Sequence, residues 1–120
     1  SGFYIIPRGK KCIVWLTLYK GAQEAIFFDV DPRDHSKIKF VSIRAIHPSQ
    51  QFHFDDFQGS GTVLYGTMYK WKGCSCFCIE DLYFYKGINY SNGTFVSRLK
   101  LLKTILHNEI SQNILKSLHL

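Results

Sequence analysis

The chain alternates between β-branched or aromatic runs and short glycine-bearing connections, and that punctuation restricts it to a sheet-based fold. Cys12 to Tyr19 is one such run, and Lys20-Gly21 turns it into a second from Ala25 to Val30, so the two read as a hairpin. Asp31-Pro32-Arg33-Asp34-His35-Ser36 is a turn cluster. Lys37 to Ile46 is a third strand, in which Lys37 and Lys39 alternate with Ile38 and Phe40. Thr62 to Tyr69 and Cys74 to Tyr85 form another antiparallel pair around the connection Lys70-Trp71-Lys72-Gly73. A lead-in loop from Ile5 to Lys11 is broken by Pro7 and Gly9, and His47 to Ser60 is the least regular stretch.

The period changes once, near the C-terminal end. After a loop from Lys86 to Gly93, Thr94 is placed to cap a helix. Phe95, Leu99, Leu102 and Leu106 then recur at helical spacing, with Arg98, Lys100 and Lys103 off that stripe. Ser111 to Leu120 reads either as its continuation or as a second helix. Strands first and a helix last give an α+β domain with a mostly antiparallel sheet.

A length of 120 residues allows one domain or part of one, and 46% hydrophobic residues suffice for a buried core. Ser1-Gly2, with no initiating Met, reads as a scar of tag removal, so the expectation is a truncated domain of a longer parent. No apolar stretch approaches the roughly 20 residues that span a bilayer, so no membrane partner is expected. The cysteines Cys74, Cys76 and Cys78 fall at a period of two, which on a strand puts all three thiols on one face. Neighbouring thiols there sit about 7 Å apart, too far for a disulfide or a shared metal. With Cys12 they are read as reduced packing residues of an intracellular protein, cytoplasmic or nuclear. His53, Asp55 and Asp56 offer an imidazole and two carboxylates, either a polar loop or ligands without a second cluster; no metal and no cofactor is expected. Asn89-Tyr90-Ser91 and Asn92-Gly93-Thr94 fit the glycosylation pattern, but nothing else supports a secretory route.

Two segments carry a resemblance. Thr62-Val63-Leu64-Tyr65-Gly66-Thr67 is similar to the Thr-Leu-Asp-Gly-Glu-like strand of the nucleotidyltransferase superfamily, which includes mRNA capping guanylyltransferases and nucleic-acid ligases. Ile79-Glu80-Asp81-Leu82-Tyr83-Phe84, followed by Tyr85-Lys86-Gly87, resembles that family's Phe-Asp-Ile-Leu-Tyr-like strand and loop. Arg98-Leu99 stands where its helix would carry an Arg-Leu pair, and Lys20-Gly21 where its Lys-x-Asp-Gly motif would end. The resemblance implies a pseudoenzyme: the nucleophilic lysine's place is taken by Leu18, the motif's aspartate by Tyr65 and its glutamate by Thr67. Lys20 is the nearest amine to that place, and Asp81, which is retained, reads as a hydrogen-bonding residue of the scaffold.

The implied function is a non-catalytic capping-enzyme-like module of a transcription or RNA-processing protein. Its expected partners are nascent RNA or transcription and capping proteins. A Lys-, Ile- and Tyr-rich composition suits a polymerase-associated subunit of a large DNA virus, which would act at a cytoplasmic replication site. The alternatives are a cap receptor, like the non-catalytic cap-binding domain of snurportin, or a fragment of an active guanylyltransferase or ligase. In the receptor reading Tyr85 stacks on a base and Lys86 pairs with phosphate.

Charge adds a second line. Lys and Arg number 15 against 9 Asp and Glu, a net charge of +6 that favours polyanionic partners. Arg8, Lys10, Lys11, Lys70, Trp71, Lys72 and Lys86 fit an RNA-backbone patch with an interleaved aromatic, or else a set of solvated loop lysines. The tryptophan is expected at an exposed hairpin tip, as a stacking platform or a protein-docking anchor.

Overall fold

In a computed structural model of the chain, residues 8–34, 36–45 and 54–108 are described. The loop before Arg8, most of the stretch from His47, His53 itself, the side chains of Asp55, Cys74 and Leu106, and everything after Asn108 fall outside them.

The strands are β1 (Lys10–Tyr19), β2 (Ala22–Val30), β3 (Ile38–Ala45), β4 (Thr62–Trp71), β5 (Cys74–Tyr85) and β6 (Ile88–Asn89). They form one curled antiparallel sheet, a half-barrel in the order β3-β2-β1-β4-β5-β6. A 3-10 turn (Phe54–Phe57) and one C-terminal helix, α1 (Phe95–Asn108), complete the α+β domain.

Several strand boundaries differ from the sequence reading. Lys10 and Lys11 pair with Met68 and Thr67 and so belong to β1 rather than to a lead-in loop. At the turns the strands run longer: Tyr19 pairs with Ala22, so β2 begins before Ala25, and Trp71 pairs with Cys74, so Lys70 and Trp71 lie inside β4 and only Lys72-Gly73 connects. Ile88 pairs with Tyr85, which makes a two-residue strand out of the expected loop. These three share turn chemistry: Lys20-Gly21, Lys72-Gly73 and Lys86-Gly87 all have positive φ at both residues. That is the signature of the type I′ turn, whose twist matches the flanking strands and lets them pair up to the turn itself.

The inner face of the half-barrel holds the core. Cys12, Val14 and Leu16 on β1 meet Ala25 and Phe27 on β2, Leu64 on β4, and Phe77, Ile79 and Leu82 on β5. Phe57 and, from α1, Leu102 and Ile105 close over them. Ile79 and Leu82 share this face although they are three apart, because the β4–β5 register slips between Tyr65 and Gly66: Gly66 pairs with Ile79, Tyr65 with Asp81, and Glu80 is the extra residue of a bulge. Gly66 makes the slip possible, since a Cβ there would stand 1.9 Å from the Cys78 carbonyl oxygen.

The helix begins as expected, with the Ser97 N–H donating to Thr94 Oγ1 at 3.1 Å. Its buried face agrees in part: Leu102 of the expected stripe is buried and Leu99 half-buried, Phe95 is exposed, and Leu101 and Ile105 also pack inward while Arg98 turns to the sheet. A carboxylate on β5 fixes that rotation, as shown below.

Two substitutions separate close approach from backbone strain. Gly66→Ala is expected to cost about 3 kcal/mol or more, since the ladder must open to admit the methyl group. Gly21→Ala, at φ 79° with nothing within 4 Å, is expected to cost about 1 kcal/mol from its backbone conformation alone. Urea denaturation of both variants checks the order.

Candidate nucleic-acid interface

Antiparallel pairing sorts the cations to two ends of the sheet. The start of β1, the end of β2, the start of β3 and the β4–β5 hairpin meet at one end, because Lys10 pairs with Met68, Cys12 with Asp29, Asp29 with Lys39 and Trp71 with Cys74. Arg8, Lys10, Lys11, Lys70, Trp71 and Lys72, expected to converge, share this end. Arg33, Lys37 and Lys39 join them; the sequence reading had left these in a turn and an alternating strand. Lys86 does not. Its turn follows β5, beside the start of β4, at the end where Lys20 also lies.

The cations are not equally available. Lys11 Nζ donates to both carboxylate oxygens of Glu80, at 2.9 and 3.0 Å, and to Thr67 Oγ1 at 2.7 Å. Thr67 in turn donates to Glu80, so the three form a closed, mostly buried network on the outer face. Lys11 is a structural cation. Lys10, mostly exposed, pairs with Asp29 at 2.6 Å. Lys70 donates to Ser75 at 2.6 Å. Arg33, Lys37 and Lys39 are exposed and form no ion pair among the described residues. At the same end of the sheet, three strands away on β4, Trp71 is 57% exposed, with Lys72 Nζ 5.7 Å from its ring centroid.

The same aromatic–lysine contact recurs at each type I′ turn. Lys20 Nζ lies 5.4 Å from the Tyr19 ring centroid and Lys86 Nζ 5.1 Å from that of Tyr85. Tyr-Lys-Gly, Trp-Lys-Gly and Tyr-Lys-Gly are therefore one turn device used three times. A repeated tripeptide was the sequence signal for it. Tyr85 is further drawn inward against the core cluster. This favours a packing role for Tyr85 and Lys86 over a base-stacking pair.

The positions implied by the nucleotidyltransferase resemblance are not brought together. Leu18 shares the period of Leu16 on the inner side of β1, while Thr67 pairs with Lys11, whose period is the opposite one. They lie on different faces and towards different ends of the sheet. Lys20 does not follow Leu18 along one face, as strand geometry suggested; it sits at the turn with φ 51° and its amine over Tyr19. Tyr65 packs beside Tyr83, ring centroids 6.3 Å apart.

Asp81 is a scaffold residue. Its carboxylate accepts from Arg98 Nε at 2.9 Å and Nη2 at 3.2 Å, and from the Leu82 N–H at 2.8 Å. The hydrogen bond to Asp81 also raises the Arg98 pKa, keeping the guanidinium charged. Cys76 and Cys78 pair with Tyr69 and Thr67, alternate positions of β4, so these two share a face as the sequence implied, while the side chain of Cys74 lies outside the described residues. Cys12, Cys76 and Cys78 are buried and form no disulfide among the described residues. Burial, reinforced by Asp29 and Glu80, pushes Cys12 up to about 12. Among the described residues no group of three His, Cys, Asp or Glu gathers to hold a metal ion, and no helix is long and apolar enough to cross a membrane. Comparison with protein families, curated proteins and solved structures finds no match to this chain.

Two predictions concern this scaffold. Arg98→Met strands a mostly buried carboxylate and is expected to cost about 3 kcal/mol, part of it recovered by Asp81→Asn in the same chain. A double-mutant cycle in urea measures it. The Cys12 thiol stays protonated in the folded chain up to about 12 but ionises near its ordinary 9.0 when unfolded. Native chain then binds more protons than unfolded chain, so this contribution is whole below pH 9 and lost as pH rises from 9 to 12. Cys12→Ser is expected to flatten that loss in denaturation midpoints.

Proposed function

We propose that this chain is a non-catalytic RNA-contacting module of a transcription or RNA-processing assembly, working through the basic end of its sheet. The observation that carries the proposal is the pairing of exposed cations from β1, β3 and two turns with a tryptophan that is 57% exposed. Single-stranded nucleic acid is held by this combination of backbone charge and a ring on which a base can stack. The non-catalytic part is supported by Leu18 and by Lys20, whose amine is over Tyr19 at a hairpin tip. The proposed kinship with capping enzymes rests on the sequence motifs, and the type of assembly rests on that kinship.

Anisotropy titration with a labelled single-stranded RNA of about ten nucleotides tests the reading. Trp71→Ala is expected to weaken binding about 5- to 100-fold, the range of one base–aromatic stack. The plot of log affinity against log salt is expected to be steep, and each effective cation removed should reduce its slope by about 0.7. Lys11→Met should alter stability more than the salt slope, because Lys11 is committed to Glu80. Saturable binding of a cap analogue abolished by Tyr85→Ala would replace this reading with the receptor one. Affinity indifferent to Trp71 and to the basic end would end it.

A further inference from the structure

Beside the β2–β3 turn is an open pocket of about 470 Å³, and its lining is made by charge. Asp29, Val30, Asp31 and Pro32 form one wall, Lys37, Ile38 and Lys39 another, with Arg33 at the turn and Lys10 from the neighbouring strand. Of the two carboxylates Asp29 is paired with Lys10 at 2.6 Å, while Asp31 Oδ1 accepts the Arg33 backbone N–H at 2.8 Å and keeps its charge. The backbone adds the Asp31 N–H donating to the Lys37 carbonyl at 3.0 Å and the Lys37 N–H to the Asp34 carbonyl at 2.9 Å. Set against the Asp31 charge are three side-chain cations, Arg33, Lys37 and Lys39, around one hollow, with no ion pair among the described residues, so the lining keeps a positive excess.

We infer that this pocket is an anion site that takes phosphoryl groups, with Arg33, Lys37 and Lys39 as its binding residues. A guanidinium matches phosphate oxygens in a bidentate fork, and two ammonium groups add charge without demanding geometry. Like charges held together lose mutual repulsion when a di- or trianion enters, so a phosphoryl-dense ligand gains more than a carboxylate would. The inference deepens the proposed RNA contact and rests on it for its biological ligand. The strand order puts β3 three inter-strand steps of about 4.8 Å from β4, so the pocket lies on the order of 15 Å from the Trp71 hairpin across the sheet. By strand period Lys10, Asp29 and Lys39 follow the inner face with Cys12 and Trp71 the outer face with Thr67, so a phosphate seated here would anchor an RNA that passes round the end of the sheet to reach the tryptophan.

The experiment uses the whole chain, followed by amide chemical shifts, with inorganic pyrophosphate as one probe and a short 5′-phosphorylated RNA as the other. Pyrophosphate is expected to move the amides of residues 29–39 saturably. The double variant Arg33→Ala/Lys37→Ala should weaken it at least tenfold, while Lys100→Ala/Lys103→Ala, removing the same charge from exposed positions of α1, should leave it within about twofold. Equal loss in both double variants, or no shift in residues 29–39, overturns the site. The two readings also fail separately. Pyrophosphate binding without RNA binding keeps the pocket and removes the RNA proposal; RNA binding without any pyrophosphate effect at this turn keeps the RNA proposal and removes the pocket.

Discussion

One irregularity in the β4–β5 ladder sets most of this structure. Gly66 leaves room for the Cys78 carbonyl, and Glu80 becomes the extra residue opposite it. The slip reverses the alternation along β5 up to a second slip between Val63 and Leu64, and two consequences follow. Ile79 and Leu82 both reach the core. Glu80 stays on the outer face with Lys11 and Thr67. Asp81, opposite Tyr65, receives Arg98 and through it sets the rotation of α1. A regular ladder would have sent one of the two buried aliphatic residues to the outer face.

The two ion pairs around that bulge have a structural rather than a ligand-binding character. Each carboxylate is mostly buried and doubly engaged, so removing one partner leaves a desolvated charge behind. This division of labour separates Lys11 and Arg98, which hold the sheet to itself and to its helix, from Arg33, Lys37 and Lys39, which form no ion pair among the described residues. Charge available for a partner is thus concentrated at one end of the half-barrel, the end that also carries Trp71.

Much of the architecture was legible because it follows from local rules. β-branched and aromatic runs, lysine–glycine turns and the Thr94 cap gave the strands, the hairpins and the helix start, and alternation gave the shared face of Cys76 and Cys78. The helix's buried face was legible at Leu102 and misjudged at its first turn, because an amphipathic stripe counts Phe95 as apolar and Arg98 as solvated, whereas a buried aspartate makes Arg98 an inward residue. The candidate patch was half legible. Lys10, Lys70, Trp71 and Lys72 lie at one end of the sheet, with Trp71 on the opposite strand period to Lys10 and Lys70, but Lys86 was included by sequence proximity to an aromatic and excluded by strand direction.

The amino-acid sequence alone determined where the chain extends, where it turns and that it carries excess positive charge, since these depend on side-chain shape, backbone preference and composition within a few residues. Only the tertiary structure decided which cations are consumed by buried carboxylates, which face each β5 residue occupies beyond Gly66, and which turns lie at the same end. Those outcomes depend on direction and register between strands distant in sequence, and the slips at Tyr65/Gly66 and Val63/Leu64 reassign the faces along β5.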